Sequence, residues 1–149
     1  MRFSAPIEGL DVFDSISEIV ELVTPARFAE EIADPQCAFF LAHVRGVLAG
    51  YLKLRTGYLP DCVTDPTALE LSRLYVAREW HGRGIAHDLM RLTLAFAREN
   101  DHRSIWLGVW DRNPRARAFY AKWNFREIGS HPFQFGTELQ SDLVCIRPV

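Results

Sequence analysis

No apolar run in the 149 residues approaches the roughly 20 that a helix needs to cross a bilayer. The opening Met1-Arg2-Phe3-Ser4-Ala5-Pro6 lacks the apolar core and cleavage site of a secretion signal. Charge of one sign is missing too. Seventeen Lys and Arg against 19 Asp and Glu leave a net charge of −2, without the basic surface that marks most nucleic-acid binders. Cysteine is scarce, and its three residues (Cys37, Cys62, Cys145) form an odd count without C-x-x-C spacing. Cys37 and Cys145 sit in apolar runs and are expected to act as small buried hydrophobes. There is no internal repeat, linker or low-complexity stretch. These absences lead to one expectation: a single cytoplasmic domain over residues 1–149 in a reducing compartment, with neither nucleic acid nor membrane as partner.

What is present is 48% apolar residues, enough for one sizeable core. A short strand is expected near Phe3. Ser15-Ile16-Ser17-Glu18 predicts a capped helix start, and Thr24-Pro25 opens a second helix with Phe28 and Ile32 on its inner face. Asp34-Pro35 stops it. Cys37–Val44 and Val47–Arg55 predict an antiparallel hairpin around the tight turn Arg45-Gly46, with Gly50 as a bulge. Residues 57–67, rich in Gly, Pro and Asp, form a loop. Leu69–Val76 predicts a central strand. After the loop 77–82 a long helix runs to about Asn100, with Ile85, Leu89, Leu92 and Phe96 as its apolar stripe. Ser104–Trp110 is a strand and Asn113-Pro114 starts another helix. Phe125–Ile128 and Leu143–Ile146 are late strands. The sum is an α/β (α+β) fold with a mixed sheet flanked by helices.

Chemistry concentrates where a strand passes through His81-Gly82-Arg83-Gly84-Ile85-Ala86 into the long helix. The first turn of a helix has backbone N–H groups without internal partners and a partial positive charge, so it stabilises an anion. Glycines let the backbone approach a bulky anion, Ala86 keeps the turn slim, and Arg83 adds a full charge. A pyrophosphate fits such a seat. A Walker-type loop is excluded, because Gly-Ile-Ala stands at residues 84–86 where Gly-Lys-Ser/Thr is needed. A dinucleotide fingerprint is excluded by His87, where Gly or Ala is needed. From the loop alone, a glycine-requiring tight turn explains the residues as well. His81 and His87 flank the loop, but no third ligand stands at a metal spacing, so no metal is expected.

Arg73-Leu74-Tyr75-Val76 followed by Trp80 to Ala86 resembles the signature strand and Q/R-x-x-G-x-G/A loop of the GNAT N-acetyltransferases. Asn113-Pro114-Arg115-Ala116-Arg117-Ala118-Phe119-Tyr120 resembles that family's N-x-x-A-x-x-F-Y segment, and Trp123-Asn124-Phe125 its x-G-F close. The resemblance covers about residues 36–149. Residues 106–110, and 128–131 running to 140–143, are similar to the bacterial spermidine/spermine branch. His81 stands where Gln or Arg is usual, and Asn124 where Gly is usual; Asn tolerates the left-handed conformation. The N-terminal strand and helix are shorter than the family's usual opening.

The resemblance implies a GNAT-like, mostly antiparallel sheet and an acetyl-CoA-dependent acetyl transfer to a primary amine, a polyamine among the candidates. A peptide N-terminal acetyltransferase and a non-catalytic CoA-binding regulator are the alternatives. It implies that Leu74 and Val76 present backbone groups to the pantetheine arm, that backbone N–H groups near Tyr75 and Val76 stabilise the oxyanion, and that His81, Gly82, Arg83, Gly84, Ile85 and Ala86 hold the pyrophosphate. Asn113 touches the cosubstrate, and Tyr120 reaches the thioester sulfur as acid. Glu70, on the central strand, is the candidate base. Tyr120 with Phe119 and Trp123 also suits a plain aromatic cluster, and Glu70 a solvated strand residue or a partner of Arg73. Asp61, Asp65, Glu138 and Asp142 are carboxylates on which an amine pocket could draw. A homodimer is compatible, since members of this fold often pair through late strands.

Overall fold

The computed structural model describes residues 25–135 and 137–149. The strand expected near Phe3, the helix start at Ser15 and the Thr24 cap lie outside them. Three helices and six strands follow along the described chain: α1 (Pro25–Ala33), β1 (Cys37–Val44), β2 (Val47–Arg55), β3 (Leu69–Val76), α2 (Ile85–Glu99), β4 (Ser104–Trp110), α3 (Pro114–Lys122), β5 (Arg126–Phe135) and β6 (Glu138–Pro148). A 3-10 turn, Arg78–Trp80, precedes α2. The strands hydrogen-bond in the order β1-β2-β3-β4-β6-β5. β1–β2, β4–β6 and β5–β6 are antiparallel, and β3–β4 is parallel through Leu69–Ile105 and Glu70–Trp106. This is the mixed, mostly antiparallel sheet with helices that the sequence predicts. Among the described residues no helix is long and apolar enough to cross a membrane.

Two compact units arise. The first joins the chain through Thr56 to Leu71–Ala95; the second joins Gly57–Glu70 to Phe96–Val149. In the first, Arg45 and Gly46 turn the hairpin with φ of 52° and 78°, as a two-residue turn matching strand twist requires. The register passes from Ala42–Gly50 to His43–Leu48, so the bulged residue is Ala49 rather than its neighbour Gly50. Gly50 has a different cause: a Cβ there would run into the Tyr75 carbonyl oxygen and the Val76 backbone. The bulge turns the Ala49 carbonyl toward Ala77, whose N–H donates to it at 2.8 Å.

Leu41, Tyr51 and Tyr75 form a buried cluster with Phe28, Phe39 and Leu48 against it. Tyr51 and Tyr75 meet edge to face, centroids 4.9 Å apart. Phe28 brings α1 onto this cluster as expected, but Ile32 is 40% exposed. Glu31 takes the inner position instead, because Arg73 and Lys53 supply buried charges for it. The buried row of α2 is Ile85, Leu89, Thr93 and Ala97, with Met90 and Leu94; Leu92 and Phe96 of the expected stripe are half-buried. Thr93 fits inside because its hydroxyl donates to the Leu89 carbonyl within the helix.

In the second unit the core is Val63, Ala68, Trp106 and Val144, with Cys62, Ile128 and Ile146 packed on it. Asp65 ties down the loop over residues 57–68. It accepts from Thr67 N and Thr67 Oγ1, each at 2.9 Å, and from Ser104 Oγ. β5 and β6 extend well past the expected short strands, as one hairpin from Arg126–Ile146 to Phe135–Glu138. Cys145 is buried as expected, and burial pushes its thiol up to about 11. Cys37 is only half-buried.

Candidate active site

The first unit builds the glycine loop in steps. Leu74, Tyr75 and Val76, the last residues of β3, are buried, so the strand end is fixed. The Ala77–Ala49 bond holds the next residue. The 3-10 turn then closes through Trp80 N to Ala77 O at 2.9 Å and His81 N to Arg78 O at 3.1 Å. The His81 ring folds back so that Nε2 lies 2.9 Å from the Val76 carbonyl. A carbonyl only accepts, so Nε2 carries the proton and donates. His81 thus ties the loop to the strand before it.

Gly82 and Gly84 take φ of +74° and +83°, where L side chains are strained. Among the described residues beyond its chain neighbours, a Cβ at either would meet no atom within 4 Å. Conformation, not crowding by the described residues, demands glycine here, and those residues leave the space outside both open. The first α2 bond is Asp88 N to Gly84 O at 3.0 Å; by helix geometry the N–H groups of Ile85, Ala86 and His87 have no intrahelical acceptor. The Arg83 guanidinium stacks 5.0 Å above the Trp80 ring, which holds a cation beside the loop.

The second unit carries the other expected residues. Asn113 caps α3, its Oδ1 accepting from Ala116 N at 3.1 Å, with Pro114 opening the helix. Tyr120 is half-buried, edge-on to Phe119 at 5.3 Å and to Phe125 at 5.8 Å. No residue of α3 is fully buried, so its aromatic cluster is not a sealed core. Asn124 has φ of 67°, the left-handed turn expected of it. Glu70 is 8% exposed, so it is not a solvated residue. Arg73, offered as its partner, binds both carboxylate oxygens of Glu31 at 2.8 Å.

Asp142, one of the carboxylates on which an amine pocket could draw, has Gly108, Trp110 and His131 around it on strands of the second unit. Trp110 and His131 are the register partners of Asp142 on either side, and the Asp142 carboxylate leans over Gly108. Burial pushes the Asp142 carboxyl above the ordinary carboxylate value, with Asp111 adding to the rise and His131 opposing it. The sequence signal for this group is Gly108, a glycine inside a strand pattern.

A family model described as the acetyltransferase (GNAT) family matches residues 11–125. An uncharacterized N-acetyltransferase of Mycobacterium tuberculosis is 38% identical over 125 residues, 84% of this chain and 76% of that protein. The N-alpha-acetyltransferase RimI of the same species is 33% identical over 106 residues, 70% of this chain and 62% of that protein. The solved PaiA N-acetyltransferase of Thermoplasma acidophilum, in complex with coenzyme A, shares the fold at TM-score 0.66 and 17% identity, over 89% of this chain and 79% of that one. The matched span holds both the loop at residues 81–86 and the segment from Asn113 to Phe125, and the chain belongs to the acetyltransferase (GNAT) family, as an acetyl-CoA-dependent N-acetyltransferase.

Proposed function

We propose that the chain moves the acetyl group of acetyl-CoA to a primary amine of a small molecule, polyamines among the acceptors, by direct attack. The observation that carries the reading is the glycine loop. Two left-handed glycines flank Arg83 at the start of α2, with open space outside them. A pyrophosphate there gains the first-turn N–H groups of Ile85 and Ala86, the helix dipole and the Arg83 charge. In this reading Leu74, Tyr75 and Val76 serve the pantetheine arm through their backbone, as a strand serves an added strand. His81 acts by holding the Val76 carbonyl.

The remaining roles follow the chemistry. An alkyl amine of pKa about 10.4 arrives protonated and must lose a proton before it attacks. Glu70 is proposed to accept it, directly or through water. Backbone N–H groups near Tyr75 and Val76 are proposed to hold the carbonyl oxygen as it gains charge. The leaving thiol has a pKa of about 8.5 and a phenol about 10, so Tyr120 can donate a hydrogen bond or proton to the departing sulfur. Asn113 is proposed to touch the cosubstrate while capping α3. The small-molecule acceptor is supported by the resemblance of residues 106–110 and 128–143 to the spermidine/spermine branch.

One observation favours a second acceptor class: the similarity to RimI, named an N-alpha-acetyltransferase. Release of free thiol from acetyl-CoA, followed with spermidine, simpler diamines and an alanine-terminated peptide, decides between them. Turnover of the amines supports the reading. Turnover of the peptide alone replaces it with the second class. Tight CoA binding without turnover of any acceptor makes the chain a CoA-binding regulator.

A further inference from the structure

One face of β4 carries Ser104, Trp106, Gly108 and Trp110, since side chains alternate along a strand. Its first half is covered. Ser104 donates to Asp65 in the 57–68 loop, and Tyr58 of that loop packs on Trp106, centroids 5.9 Å apart. At Gly108 the cover ends, and this is the one exposed position of the strand. Gly108 has no positive φ, so its backbone does not require glycine. A Cβ there would have Asp142 alone as its nearest neighbour, with Oδ2 at 3.2 Å and Cγ at 3.8 Å. Among the described residues, the missing side chain therefore leaves room on one side of the half-buried Asp142 carboxylate.

Asp142 is flanked on both sides of β6. Its register partners are Trp110 on β4 and His131 on β5, at the spacing where cross-strand side chains touch. Trp110 is half-buried. The second unit thus presents, on one half-buried strip, a carboxylate, an indole beside it and an exposed glycine floor. Carboxylate and indole face are the two groups that together suit an alkylammonium ion. We infer that Gly108, Trp110 and Asp142 seat the ammonium group of the acceptor, with Asp142 as the carboxylate that pairs with it. This rests on the proposed amine acetylation and adds a residue that selects the acceptor.

The electrostatics agree. Burial disfavours the charged form of Asp142, Asp111 disfavours it further, and His131 on the adjacent strand favours it. A carboxylate held at such a cost gains when a cation arrives. An amine of pKa about 10.4 is protonated at neutral pH and is such a cation.

The test uses the whole chain and the best-turned-over amine among spermidine, propane-1,3-diamine and an alanine-terminated peptide. Asp142→Asn keeps shape and removes charge. It should raise the acceptor KM by about ten- to a hundredfold, the range of a hydrogen bond to a charged group. The KM for acetyl-CoA and the melting temperature should stay near wild type. Asp142→Glu should recover part of the loss, and Trp110→Leu should also raise the acceptor KM. In wild type, kcat/KM for the amine should fall on acidification at a higher pH than an ordinary carboxylate gives, and Asp142→Asn should lack that limb. An unchanged acceptor KM in Asp142→Asn, or an equal rise in the acetyl-CoA KM, overturns the inference while leaving amine acetylation standing. A wild-type chain that turns over none of the amines removes both.

Discussion

Arg73 grips Glu31 through two parallel hydrogen bonds of 2.8 Å across 42 residues of sequence. Lys53 approaches the same carboxylate at 3.3 Å, and the three side chains are 12%, 13% and 5% exposed in the order Arg73, Glu31, Lys53. Phe28 and Phe39 cover the cations from above, with Arg73 5.5 Å and Lys53 5.9 Å from their respective ring centres. One buried anion therefore holds two buried cations, and it also fixes which face of α1 points inward. β3 ends three residues after Arg73, and the 3-10 turn and glycine loop follow, so the pair braces the strand that leads to the loop.

Glu31→Gln should destabilise the fold by about 3–5 kcal/mol, because it leaves two buried like charges without their counter-charge. Urea unfolding at pH 7 measures it. Burial raises the Glu31 pKa, but Arg73 and Lys53 outweigh it and hold the carboxyl below its ordinary 4.5. A depressed carboxylate pKa contributes stability that is complete above the unfolded value and lost as pH falls through the folded one. The wild-type advantage over Glu31→Gln should hold constant above about pH 5 and shrink as the medium is acidified below that ordinary value. Burial also lowers the Lys53 pKa, with Arg73 adding to the fall and Glu31 opposing it. The charge of Lys53 is thus the weaker member of the trio. A difference between the two proteins that is flat through the acid range would mean the carboxylate is not the link.

At Gly84 two effects must be separated. The φ of +83° strains any L residue, and the open space beyond is the proposed pyrophosphate seat. Gly84→Asn addresses the first, since Asn tolerates the left-handed region that costs other residues roughly 1–2 kcal/mol. It should keep its melting temperature within a few degrees yet weaken acetyl-CoA binding by about tenfold or more, through lost close approach of the backbone. Gly84→Glu should abolish binding, since it adds a like charge beside the phosphates. Calorimetric titration with coenzyme A reads both variants. Unchanged affinity in a folded Gly84→Glu protein would return the loop to a simple turn.

Local chemistry made much of this fold legible in the sequence. The Arg45-Gly46 turn between alternating strands gave the hairpin, and Asn113-Pro114 gave the start of α3 with its cap. The shape of the glycine loop was legible for the same reason: a tight turn into a helix start is made by consecutive residues, here Gly82 and Gly84 ahead of Ile85. Features that depend on distant partners were not. Ile32 gave way to Glu31 because of charges on two other strands. The bulge at Ala49 answers to the N–H of Ala77. β5 and β6 run through Gly129-Ser130-His131-Pro132 and Gln140-Ser141-Asp142, stretches with no apolar alternation to mark a strand; backbone pairing joins them. Asp142 was one carboxylate among several, and only the β4–β6 register puts it over Gly108 while Asp65 is spent on Ser104 and Thr67.

Tyr120 tests whether the second sequence block is chemistry or packing. Its ring touches Phe119 and Phe125 edge-on, on a helix with no fully buried residue. Tyr120→Phe keeps the ring and both contacts and removes only the hydroxyl. If the residue merely packs, nothing measurable should change. If it protonates or hydrogen-bonds the departing sulfur, kcat should fall by about 10²–10⁴, the range of a positioned acid, while affinity for coenzyme A stays within a few-fold. Thioesters offer a sharper discriminant. An acyl-CoA analogue whose leaving thiol is more acidic needs less help from an acid, so the variant should lose less activity on it than on acetyl-CoA. An equal loss on both would place the hydroxyl in cosubstrate positioning instead, because positioning serves any leaving group alike.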